Sequence, residues 1–378
     1  MADISFFENL ALKSKLGFLR GESQRIIGLD IGSASVKLVQ LKKEKERGIL
    51  ETYGELSIGP YLKKETGQIV SLTEDELVLI IKDLLKESGA KTNEIIVSVP
   101  LKSSFITTID FPLMSDAELK EAVSFEARRH IPISLSEVEI DWWAMPKALE
   151  TKKRVEEEGL FEKKEKVKVL LVAIHKEVIE RFRAIASKAG LHIKGFEIEV
   201  FSLARASIMQ ELSPILLIDF GASSTKMAIV DYGVIRETLQ FQRGSQEITL
   251  ALSHSLNIDF PRAEKIKKEV GLSLKPEHQE TASVIRPILD HILAEAERII
   301  IDYRRREERS ISHIALSGGG ASLKGLADLV INNLGIEARL ANPFKKTAYP
   351  LFLEPVLKDI GPSLAIATGL ALRGLKEE

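Results

Sequence analysis

The stretch "RIIGLDIGSASVKLVQLKK" (residues 25–43) runs an apolar strand into an acid, a glycine and two serines, then leaves at once as a second strand. The stretch "ILLIDFGASSTKMAIVD" (residues 215–231) repeats the arrangement. Both copies read D-x-G-x-x-S-x-K, as Asp30, Gly32, Ser35, Lys37 and as Asp219, Gly221, Ser224, Lys226. One such hairpin could be chance; two in one chain point to duplication. Glycine and serine let successive backbone N–H groups converge on an anion. Hydroxyls add donors, here from Ser33, Ser35, Ser223, Ser224 and Thr225. An aspartate at the strand end would repel a phosphate directly. It is tolerated if a magnesium ion lies between, held through water by Asp30 and Asp219 and directly by phosphate oxygens. Lys37 and Lys226 stand just past each loop, placed to offset further negative charge. Two such loops facing each other across a cleft would clamp a polyphosphate from both sides.

The surrounding pattern supports duplication. Strand-like stretches fit 26–31, 35–41 and 48–58, and "SLTEDELVLIIKDLLKESG" (71–89) follows them. There Thr73 and Glu76 have capping-box spacing, and Leu77, Ile80, Ile81, Leu84 and Leu85 line one helical face. "EIIVSVP" (94–100) is then a buried strand closed by proline. In the second half strands fit 214–219, 224–230 and 233–241, a helix fits about 245–256, and "ISHIALSGGG" (311–320) supplies the late strand. Two β-β-β-α-β units imply a duplicated α/β fold around a cleft.

Two segments stand outside the repeat. Residues 101–190 carry a helix opened by "SDAE", strands at about 137–145 and 167–174, and a helical stripe from Val178 to Ala189, which together make a small α+β insertion. The mixed charge run between its strands is a solvated loop. The segment at about 257–312 is helical and rich in Glu and Arg. The resulting division is an N-terminal arm at 1–24, a first core subdomain at 25–100, the insertion at 101–190, and a connecting helix with return to the core at 191–213. The second core subdomain takes 214–243 and 313–358, with a helical insertion at 244–312 and a C-terminal connecting helix at 359–378.

Composition narrows the function. The 378 residues hold 53 basic and 55 acidic side chains, a formal net charge of -2, which argues against nucleic acid as the main partner. With no cysteine, disulfides, thiolate metal sites and Cys nucleophiles are excluded. No signal peptide is visible, the arm is interrupted by Glu8, Lys13 and Lys15, and no uncharged run is long enough to span a bilayer. The expectation is a cytoplasmic protein that reaches a membrane only through a partner. P-loop, dinucleotide-fingerprint, zinc-protease and nucleophile-elbow patterns are absent.

A third element joins the two hairpins. "IALSGGGASLKGL" (314–326) runs a strand into Gly318, Gly319 and Gly320 and then a helix past Ser322, permitting close backbone approach to a flat ring or a phosphate. The order of the Asp30 loop, the Asp219 loop and "LSGGGASLKG" resembles the two phosphate motifs and the adenosine motif of the actin and sugar-kinase ATPase superfamily. "EIEVFSLARAS" (197–207) and "GPSLAIATGLALRGL" (361–375) resemble its two connecting helices. "PRAEKIKKEVG" (261–271) resembles the A-E-x-x-K segment of the bacterial actins, which implies Glu264 and Lys267 near the ribose or base. "AELKEAVSFEARRHIPISLSEVEIDW" (117–142) falls where FtsA and PilM proteins carry their distinctive insertion, and its wording is most similar to the PilM family of type IV pilus biogenesis.

That resemblance implies an actin-like fold, with duplicated ribonuclease-H-like halves around a nucleotide cleft, ATP with Mg2+ as ligand, and an adaptor role. PilM-like proteins grip the cytoplasmic N-terminal peptide of a PilN-like inner-membrane protein, in a groove between the first core subdomain and the insertion, among other pilus platform components. Phe125, Arg128, Ile131 and Pro132 are the candidate groove residues. Glu199, ahead of Glu197, is the candidate to orient an attacking water, with slow or absent turnover the expectation. An FtsA-like filament protein and a small-molecule kinase of the same superfamily remain as alternatives. The chain stops at "LRGLKEE", without the linker and membrane helix of FtsA-like proteins, and no acceptor pocket with a general base is evident.

Overall fold

In a computed structural model the described residues are 24–145, 166–209 and 211–376; nearly all of the N-terminal arm and of the charge run lies outside them. The described residues divide into two compact units, one within residues 99–184 and the other made of 24–98 and of those from 185 to 376.

The larger unit holds two sheets of the same design. In the first, β1 (Arg25–Ile31), β2 (Ser35–Glu44) and β3 (Arg47–Ser57) form an antiparallel meander. Helix α1 (Glu74–Ser88) leads to β4 (Glu94–Val99), which pairs in parallel with β1. The Thr73–Glu76 capping box is formed at the start of α1, and Gly89 ends the helix in the left-handed conformation.

The smaller unit continues from there with β5 (Ser104–Pro112), α2 (Asp116–His130), β6 (Val138–Ala144) and β7 (Lys166–His175), and with the start of α3 (Lys176–Ala189). Its three antiparallel strands lie in the order β5-β7-β6. Leu119, Val123 and Ala127, spaced four apart on α2, bury themselves against Val169, Leu171 and Ala173 of β7. Strand β5 was not anticipated in the sequence.

The chain returns through β8 (His192–Ile198) and α4 (Glu199–Ser207). Thus a strand precedes the connecting helix within residues 191–213. The second sheet comprises β9 (Ile215–Phe220), β10 (Thr225–Asp231) and β11 (Val234–Phe241), then β12 (His313–Ser317) and β13 (Ala338–Leu340). Helices α5 (Ser245–Ser255), α6 (Phe260–Glu269) and the 29-residue α7 (Gln279–Glu307) lie between β11 and β12. The order β11-β10-β9-β12-β13 matches β3-β2-β1-β4-β8 position for position. The duplicated α/β fold expected from the sequence is therefore the observed one.

After α8 (Leu326–Leu334), the short β14 (Thr347–Ala348) pairs in parallel with β3, so residues from the second half complete the first sheet. Helix α9 (Glu354–Gly374) then packs on β1 and crosses α4. Glycines make both approaches possible. A Cβ on Gly28 would lie 1.9 Å from the carbonyl oxygen of Ala367, and one on Gly369 would lie 1.9 Å from that of Ser202.

These backbones cannot separate without opening the core, so a side chain at the crossing has nowhere to go. Gly369→Val should lower stability by about 1–3 kcal/mol or more, the usual cost of forcing extra atoms into a packed core. A reduced urea midpoint at unchanged slope would register it; wild-type stability would contradict the crossing described above.

Candidate functional site

The two repeated hairpins are alike in detail. Asp30 stands opposite Lys37 across β1 and β2, and Asp219 stands opposite Lys226 across β9 and β10. Each tip is closed by one backbone bond, Gly32 N–H to the Ser35 carbonyl at 3.0 Å and Gly221 N–H to the Ser224 carbonyl at 3.1 Å. Ser33 and Ser223 are half-buried at the tips.

The likeness extends across four strands. The register places Glu55 of β3 beside Lys37, and the Ser98 hydroxyl of β4 donates to Asp30 at 2.8 Å. In the second sheet Gln240 of β11 stands beside Lys226, and Ser317 of β12 beside Asp219. The rows read Glu55–Lys37–Asp30–Ser98 and Gln240–Lys226–Asp219–Ser317. Sequence reasoning missed the outer members of both rows as site residues. The available signal was the serine at the same place in "EIIVS" and "HIALS", the two late strands of the repeat.

The two rows lie within electrostatic reach of each other. Asp30 and Asp219 are both buried, at 5% and 4% exposure, and each feels the other's charge and that of Lys226. Burial pushes the Asp30 carboxyl above its ordinary value, although Lys37 and Lys226 pull it back. Lys226 donates to Glu199 at 2.7 Å and to Asp219 at 3.1 Å. Burial works against its charge, but Glu199 and then Asp219 hold it well above the usual lysine value. Lys37 lies 3.8 Å from Glu55, and Ser35 donates to the same carboxylate at 2.7 Å. Despite partial desolvation, Lys37 and the hydroxyls of Ser35 and Ser363 hold Glu55 below the usual carboxylate range.

Other expected residues are placed as follows. Ser224 is buried, and Thr225 donates to the carbonyl of Arg243, away from the hairpin tip. Gly318, at φ 84°, is pressed so close to Asp219 that a Cβ would lie 2.6 Å from its Oδ1. Gly319 alone of the three glycines faces open space, and Ser322 is exposed. Glu264 and Lys267 pair with each other at 2.6 Å and share the Thr249 hydroxyl. Gly67 of the first half lies against the Glu264 carboxylate, and the Ile69 N–H donates to Gln246 of α5. Glu197 is held by Arg205 through two bonds of 2.5 and 2.6 Å, by the Ser202 hydroxyl, and by Arg373 of α9 at 3.7 Å. In the smaller unit, Phe125 is 58% exposed with the Arg129 guanidinium 5.0 Å over its ring. Arg128 and Pro132 are exposed, whereas Ile131 is buried in the core of that unit.

A divalent ion fits this floor in one form. Among the described residues no group of three or more His, Cys, Asp or Glu side chains is arranged to hold a metal directly. The two strand-end carboxylates suit a hydrated magnesium carried in by phosphates, and a cation there would relieve the buried charge of Asp30.

Duplicated five-stranded halves, each with an aspartate near the end of its central strand, define an actin-like fold. The chain belongs to the family of the type IV pilus assembly protein PilM, whose model matches residues 28–375. The solved PilM-PilN type IV pilus biogenesis complex is similar at 25% identity and a TM-score of 0.76, over 94% of this chain and 100% of that one. MreB 5 of Spiroplasma citri, solved with AMPPNP, shares the fold at 12% identity and a TM-score of 0.51, over 92% of this chain and 95% of that one. The cell division protein FtsA of Helicobacter pylori is 27% identical over 230 residues, covering 53% of this chain and 46% of FtsA. The chain thus spans about half the length of the curated relatives it matches. Among the described residues no helix is long and apolar enough to cross a membrane.

The Glu197 cluster ties β8, α4 and α9 together. Removing its charge should cost about 3–5 kcal/mol at neutral pH, because two arginines lose a buried partner. Its carboxyl is held below the reference value of 4.5, chiefly by Arg205 and Arg373 against the burial that opposes them. That stabilisation is complete above the reference value and is lost as pH falls through the depressed one. Chemical denaturation of wild type and Glu197→Gln should therefore show a gap that is widest near pH 7 and narrows below about pH 4.5. A gap independent of pH would contradict a charged Glu197.

Proposed function

We propose that this chain is an ATP-binding adaptor of the type IV pilus inner-membrane platform, holding the N-terminal peptide of a PilN-like membrane protein. The observation that carries the nucleotide part is the pair of facing hairpins, whose strand-end aspartates share one buried floor. In this reading the backbone N–H groups and hydroxyls around Gly32, Ser33, Ser35, Gly221, Ser223 and Ser224 cradle the phosphates. Asp30 and Asp219 hold the hydrated magnesium. Lys37 and Lys226 offset charge, Gly318, Gly319, Gly320 and Ser322 border the adenosine, and Glu264 and Lys267 border the ribose or base.

The chemistry favours holding ATP over consuming it. Glu199 is engaged by Lys226, and Glu197 by Arg205 and Arg373, so both candidate water-orienting carboxylates are bound to cations. ATP then acts by differential binding: it stabilises the conformation in which it fits best, and the partner is gripped according to that conformation. The partner part rests on membership of the PilM family and on likeness to the PilM-PilN complex. Phe125, Arg128 and Pro132 offer an exposed aromatic ring, a cation and an apolar ring for such a peptide.

Two experiments test the two parts. Asp219→Ala should abolish retention of ATP through gel filtration while the circular dichroism spectrum stays native; undiminished retention would refute the clamp. A synthetic peptide from a PilN-type N-terminus should be retained by the immobilised protein, more strongly with magnesium-ATP than without. Failure to bind in either condition would remove the adaptor role.

A further inference from the structure

The two polar rows differ at their outer ends, and the difference is one of charge. Gln240 is neutral, whereas Glu55 carries a carboxylate that accepts from Ser35 at 2.7 Å and from Ser363 of α9 at 3.0 Å, with the Lys37 ammonium at 3.8 Å. Ser35 and Lys37 are the hydroxyl and the cation that the first hairpin offers to an anion. Glu55 therefore sits on the donors of the first hairpin, while Lys226 of the second row is drawn to Glu199 and Asp219 instead. The Glu55 side chain is 41% exposed, so it can leave the hairpin for water without opening the core.

We infer that Glu55 is an internal anion that occupies the phosphate-binding hairpin and is displaced when a nucleoside polyphosphate binds, releasing Ser363 of α9 as it goes. The inference rests on the nucleotide reading of the cleft and adds a competitor to it. A phosphate oxygen arriving between Asp30 and Asp219 needs the Ser35 hydroxyl and the Lys37 ammonium, and neither can serve two anions at full strength. The carboxylate would also repel the incoming charge at short range. Its departure breaks a side-chain link between β3 and the first part of α9. Occupancy of the hairpin is thereby reported to the helix that packs on β1 and crosses α4.

The duplicated row supplies the test, since Glu55→Gln gives the first sheet the side chain that the second already has. Titration with a fluorescent ATP analogue and magnesium should show this variant binding about tenfold tighter than wild type. Ser363→Ala, which leaves the carboxylate in place but removes one of its holds, should bind about two- to threefold tighter. Without nucleotide Glu55→Gln should melt below wild type, and saturating ATP should close that gap. Wild type that binds ATP together with variants that bind it equally or more weakly would overturn the inference and leave the clamp standing. Wild type that binds no nucleotide would overturn both.

Discussion

The cleft depends on keeping two like charges close together out of water. Asp30 and Asp219 stand near the ends of the central strands of the two sheets, feel each other's charge, and are both almost wholly buried. Unpaired, such a floor would be strongly unfavourable, because a desolvated carboxylate costs several kcal/mol and a neighbour of the same sign adds to it. Two lysines supply the cations: Lys37 acts most strongly on Asp30, and Lys226 is shared among Asp219, Glu199 and, at longer range, Asp30. The shortfall remains at Asp30, whose carboxyl is pushed upward and whose one close donor is the Ser98 hydroxyl among the bonds described. The two halves are thus unequal: Lys226 of the second row bonds two carboxylates, whereas Asp30 of the first row stays raised by burial although Lys37 and Lys226 oppose it. The proposed ligand, a magnesium-bound polyphosphate, would bring its own cation to this floor.

Duplication explains why the rows are alike; their separate environments explain why they behave differently. In each hairpin a lysine stands opposite an aspartate, and in each the side chain has a choice of partners. Lys226 has Glu199 at the start of α4 within reach and bonds it together with Asp219. For Lys37 the described close carboxylate is Glu55 at 3.8 Å. The two lysines are equally buried, so what separates the repeated motifs is the carboxylate each one meets.

Much of this was legible in the sequence. The hairpins were visible because their four motif residues lie within eight positions of each other, and strand alternation and capping boxes fixed the elements around them. The capping boxes at Thr73 and Ser115 are formed as their spacing implied. The rest depends on register over long separations. Ser98 reaches Asp30 across 68 residues, Ser35 meets Glu55 across 20, and Ser363 meets Glu55 across 308. No local pattern carries such pairings, since a serine on a buried strand has no signature until its neighbouring strand is known. Lys226 likewise reads as a phosphate ligand from its place in the motif, and only the fold shows that Glu199 stands 2.7 Å away. Strand β14 was hidden for another reason: two residues are too short for alternation to be seen.

The α4–α9 crossing is fixed twice, by backbone and by charge. The helices meet through backbone, with Gly369 against the Ser202 carbonyl and no side chain between them at that point. Beside the contact, Glu197 accepts from Arg205 and lies within ion-pair distance of Arg373. A buried charge cluster tolerates little change in its distances, because each lost bond leaves a charge unsatisfied in a medium of low dielectric. Sliding of one helix along the other is therefore expensive, since it would break both the backbone approach and the cluster. Glu197 and Glu199, two residues apart, divide this work: the first, at the end of β8, engages Arg205 of α4 and Arg373 of α9, and the second ties α4 to the second hairpin through Lys226.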